Sequence, residues 1–179
     1  MTLKLVMAPD PVFKKVAEKV DVFDDKLQDT VDQMFEVLYR EHAVGIGANM
    51  VDILKRIIVI DLQEDGKNNP LAMINPELIE VSEETQTIEE ASRSYPGISA
   101  EITRPANIEV QYQDVQGNSH TLKASGFLAQ VIQHEMDYLD GKTFLDYVSS
   151  MKRKMLMKKM KKYVQSMHHN HVHGPNCGC

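Results

Sequence analysis

Gln133-His134-Glu135-Met136-Asp137-Tyr138 places an imidazole and a carboxylate side by side, in the spacing of the H-E-x-x-H signature with its last histidine replaced by Tyr138. An intact signature sets two imidazoles one helical turn apart on one face, where both ligate a metal ion. The glutamate then lies beside the metal's water as general base. Here His134 is left as the one imidazole ligand and Glu135 as the candidate base. A single imidazole does not hold a catalytic ion tightly. A His-Glu pair on a helix is, taken alone, usually solvated surface, so the surrounding elements must decide.

Ser125 to Leu139 has helical periodicity through Phe127, Leu128, Val131, Ile132, Met136 and Leu139, and Gly141 stops it. Asp24 to His42 is a second helix, with one apolar stripe at Leu27, Val31, Met34, Leu38 and Tyr39. Arg56 to Leu62 is a short β-branched run that predicts a buried strand. Leu71–Ile74 and Glu77–Val81 predict two strands separated at Asn75-Pro76. Ile108–Tyr112 and His120–Lys123 predict a hairpin turning at Gly117-Asn118. A last helix is expected from Ser149 to Met167, docked by Met151, Met155, Met160, Val164 and Met167. No repeat or linker divides the chain. The expectation is one α+β domain over residues 1–167, with mixed or antiparallel strands around a central His-Glu helix and a tail at 168–179.

Three segments in chain order resemble the three motifs of the peptide deformylase family, enzymes that remove the formyl group from the N-terminal methionine of new bacterial proteins. The resemblance continues between the motifs. Met34-Phe35-Glu36 with Tyr39, Val51-Asp52-Ile53, Arg56 to Asp61, Ile74-Asn75-Pro76 and Leu139-Asp140-Gly141 with Phe144 all follow the family pattern, covering roughly residues 3 to 165. It implies the family's fold, a site using Fe²⁺ or Zn²⁺ held by one cysteine and two histidines plus a water, and the N-terminus of a nascent peptide as partner.

The departures from that pattern fall in one pocket. The family's G-x-G-L-A-A-x-Q stands here as Ala43 to Met50 and keeps Gly45. Met50 occupies the place of the glutamine that donates to the oxyanion, and a thioether cannot donate. Loss of one such donor costs about two to three orders of magnitude in turnover. The family's E-G-C-L-S stands as Glu90-Ala91-Ser92-Arg93-Ser94. Ser92 replaces the thiolate ligand with a hydroxyl that stays protonated, and Arg93 brings a cation to the oxyanion region. Tyr138 replaces the second histidine with a phenol of pKa about 10, a weak ligand for a divalent ion. Glu90 and Arg104 match a family acid and base expected to pair structurally. The resemblance therefore implies a deformylase-like protein that is inactive or repurposed, with the core metal absent. The first alternative is an active deformylase with an altered metal set.

All 26 acidic side chains precede Ser149, and seven of the 20 basic ones follow it: Lys152, Arg153, Lys154, Lys158, Lys159, Lys161 and Lys162. This asymmetry directs any anionic partner to the last helix. The family's C-terminal helix contacts ribosomal RNA, so the ribosome is the partner implied. His168, His169, His171, His173, Cys177 and Cys179 form a His/Cys-rich tail suited to Ni, Cu or Zn. A second alternative is accordingly a metal-binding protein acting through that tail. Neither a signal-like segment nor an apolar run long enough to span a bilayer is read from the sequence, and both cysteines lie in the last three residues. A cytoplasmic protein without membrane partners is expected.

Overall fold

The computed structural model describes residues 2–172. Helix α1 spans Asp25–Arg40 and starts where the Asp24 side chain accepts from the Leu27 amide at 3.1 Å, satisfying one of the free N–H groups of the first turn. Leu27, Val31, Met34 and Leu38 form its buried stripe. Strands β1 (Gly45–Gly47), β2 (Ile57–Ile60), β3 (Leu71–Val81), β6 (Asn107–Gln113) and β7 (Ser119–Ser125) make an antiparallel sheet in the order β1-β2-β3-β6-β7. Strands β4 (Thr85–Ser92) and β5 (Tyr95–Pro105) form a separate antiparallel hairpin. The fold is α+β, completed by helices α2 (Gly126–Leu139) and α3 (Ser150–Val172).

All four residues of β2 are buried because alternate side chains enter different cores. Ile57 and Val59 join α1, Tyr138 and β5, whereas Ile58 and Ile60 join the apolar residues of α2, β6 and Met73. Helix α2 is buried on nearly all sides from Ala129 to Leu139. Such a helix has no solvated face for its polar residues, so Gln130, Gln133, His134 and Glu135 must find partners inside the protein. Among the described residues no helix is long and apolar enough to cross a membrane.

Two sequence expectations are corrected. Asn75-Pro76 bends a strand without dividing it. β3 runs through with a register shift between Ile74 and Glu77, and Asn75 adopts a φ of 52°. The Asn75 side chain holds that bend by pairing with both backbone groups of Val20 and with Gln113. The docked stripe of α3 also has a different phase. Leu156 and Met160 are buried, with Met157 partly so, while Met151 and Met155 are 82% and 61% exposed. The helix continues past the expected Met167 to Val172.

Candidate functional site

The Ser92–Tyr95 end of the β4–β5 hairpin, β1, the 3-10 turn Ala48–Val51 and α2 converge on a groove of about 610 Å³. Gly45, Met50, Ser92, Arg93, His134 and Glu135 all line it. Gly45 must lack a side chain, because a Cβ there would lie 2.9 Å from Glu135 Cγ. The sheet therefore approaches α2 closely enough to wedge that carboxylate in place.

Glu90, at the buried end of β4, organises the floor. Arg104 on β5 donates to both of its oxygens, at 2.7 Å from Nε and 2.9 Å from the guanidinium terminus. His134 Nδ1 lies 2.7 Å from Glu90 Oε1, and Gln130 also donates to this carboxylate. Burial would raise the Glu90 pKa, but the hydrogen bonds and charges of Arg104 and His134 hold it down at about 2. An ionised carboxylate only accepts, so His134 Nδ1 carries the proton. Its Nε2 is then left 3.9 Å from Glu135 Oε1. Arg104 extends the network to Asp137 at 2.8 Å, which also accepts from the Tyr147 hydroxyl at 2.8 Å.

Glu135 is buried, and its Oε2 has no hydrogen-bond partner. Burial pushes its carboxyl up to about 7, against the opposing pull of His134. Tyr138, one turn beyond His134, is fully buried between the rings of His134 and Phe13. Its hydroxyl donates to Ser92 Oγ at 2.7 Å. Burial, reinforced by the Glu135 charge, raises the Tyr138 phenol well above its usual pKa, so the group is neutral. Met50 is buried with Sδ 3.4 Å from the Gly47 amide, accepting a hydrogen bond. Arg93 is exposed at the groove mouth and donates to the His42 carbonyl at 3.1 Å.

A histidine held by a buried carboxylate thus stands beside a buried glutamate, on a helix clasped between a sheet and a hairpin. Residues 2–154 match the family model for polypeptide deformylase. A peptide deformylase-like protein of Rickettsia conorii is 52% identical, over 97% of this chain and 94% of its own length. The peptide deformylase of Zymomonas mobilis is 42% identical, over 89% and 93% respectively. The crystal structure of peptide deformylase from Ehrlichia chaffeensis superimposes with a TM-score of 0.85 at 35% identity, covering 91% of this chain and 97% of that one. The chain belongs to the polypeptide deformylase family.

That family is one of metalloenzymes, and the donors present here do not fit the ion. Positions 92 and 138 carry two neutral hydroxyls bonded to each other, which leaves His134 as the sole imidazole of the set. Among the described residues, no group of three His, Cys, Asp or Glu side chains is placed to hold a metal. Of the tail candidates, His168 and His169 lie exposed on α3. The side chain of His171, and His173, Cys177 and Cys179, lie outside the described residues.

Gln130, Asp137 and Tyr163 belong to the site or its support and were not singled out by sequence. Gln130 carried a signal, since it precedes His134 by four residues and so shares its helix face. Tyr163 carried another, as the only Phe, Tyr or Trp from Ser149 onward.

Proposed function

We propose that this chain receives the N-terminal formylmethionyl end of newly made peptides in its groove, and that its hydrolysis of the formyl group is absent or greatly weakened. The observation that carries this reading is the 2.7 Å hydrogen bond from the Tyr138 hydroxyl to Ser92 Oγ, which also accepts from the Ser94 amide at 3.3 Å, so both side chains at the substituted ligand positions are engaged with protein partners. One further feature supports it: Met50 accepts from Gly47 where an oxyanion donor is needed. The retained groove keeps the room for a peptide. The cationic face of α3 supplies the proposed contact with ribosomal RNA, and the cytoplasm is the compartment this reading requires.

A second reading is favoured by the relatives, which weigh toward an ordinary hydrolase: chains 38–42% identical to this one carry the name peptide deformylase. In that reading the chain is an active deformylase with an altered metal set, His134 being one ligand and Glu135 the base. Turnover of formyl-Met-Ala-Ser and core metal content separate the two. Both are measured on the full chain with the six tail histidines and cysteines replaced by serine, so that only core metal is counted. The first reading expects substoichiometric metal, and turnover lower by about two orders of magnitude or more than in a relative that retains the donor. Stoichiometric metal with undiminished turnover establishes the second instead.

A further inference from the structure

Helix α3 does more than cover the body of the protein. Leu156 and Met160 are buried in the same core as β5, which fixes the position of the helix on the hairpin. One turn past Met160, the Tyr163 ring descends onto Gly97 at the start of β5. A Cβ on Gly97 would lie 2.4 Å from Tyr163 Cγ and 2.8 Å from its Cβ, and Gly97 has a φ of 76°. Both the conformation and the approach require glycine there. Tyr163 nevertheless stays 42% exposed and lines the groove with Pro96 and Ile98. Its hydroxyl has no hydrogen-bond partner among the described residues. The groove thus has a polar floor at Glu90, His134 and Glu135, and a wall of Pro96, Ile98 and the Tyr163 ring, the last supplied by α3.

We propose that Tyr163 is a specificity-determining residue, selecting peptides with an aromatic side chain at one of the two positions after the formylmethionine. The inference rests on the formyl-peptide reading above: the floor takes the N-terminal group, which leaves the wall to the residues that follow. An exposed ring held rigidly by backbone contact gains an aromatic partner at little ordering cost, and such a pair gives about a three- to tenfold preference.

Isothermal titration calorimetry of the full chain with formyl-Met-Ala-Ser, formyl-Met-Phe-Ser and formyl-Met-Ala-Phe tests it. The wild-type protein is expected to bind one phenylalanine peptide about three- to tenfold more tightly than the serine peptide. Tyr163→Phe keeps that preference, and Tyr163→Ala reduces it below about twofold. Tyr163→Leu, which preserves bulk on the helix, carries the same expectation as Tyr163→Ala and replaces it should that variant fail to fold. Peptides that bind without preference, or a preference that survives loss of the ring, overturn the role of Tyr163 and leave the formyl-peptide reading standing. Failure of all three peptides to bind the wild-type chain overturns both.

Discussion

The fully buried Tyr138 side chain has Ser92 Oγ, at the partly buried edge of the groove, as the acceptor for its hydroxyl. Ser92→Ala leaves a fully buried phenol hydroxyl without an acceptor and is expected to cost about 1–3 kcal/mol. Tyr138→Phe in the same chain removes the stranded donor, so the double variant should be less destabilised than the sum of the two single ones. Urea unfolding of the four proteins measures this coupling, and strict additivity would show that the pair contributes nothing. Met50 makes a related point with the opposite polarity. Its sulfur accepts from the Gly47 amide, so the turn that should offer a hydrogen to a substrate oxygen consumes one instead. The identities of these residues were legible from motif spacing. Their bonding was not, because Ser92 and Tyr138 are separated by 46 positions and lie on different elements.

The elements divide by how local their signals are. α1, α2 and β2 bury stripes or runs whose period lies within a few residues, and sequence places them where the structure does. The β4–β5 hairpin escaped because its pattern is diluted. β4 has a largely exposed polar face, and the alternating buried positions of β5 are Ile98, Ala100, Ile102 and Arg104, of which the second is small and the last charged. Arg104 is tolerated inside only because Glu90 and Asp137 meet it there. In α3 the abundance of methionine concealed which face docks. Met160→Ala is therefore expected to lose about 2–5 kcal/mol in denaturant unfolding, whereas Met155→Ala should stay within about 0.5 kcal/mol of wild type. Equal effects at the two positions would contradict the docking phase described.

Across the whole molecule, charge is segregated: an acidic body carries a helix whose Lys158, Lys159, Lys161 and Lys162 are all exposed. Since Leu156 and Met160 pin that helix, replacing these four lysines by glutamate isolates the cationic face better than truncation does. Co-sedimentation with ribosomes should weaken steeply between 50 and 200 mM salt for the wild-type chain and be lost in the variant. Binding by the variant equal to wild type removes α3 from the proposed contact. The seating of Tyr163 on Gly97 also bears on the timing of synthesis. Gly45, Ser92, His134 and Tyr163 reach the groove from four distant stretches of chain, and such non-local assembly is slow. Because α3 is translated after every other part of the groove, Tyr163 is the last of the lining residues that a growing copy of this protein acquires. The copy gains the complete peptide-sized cleft only once the last helix has emerged and folded back onto the hairpin.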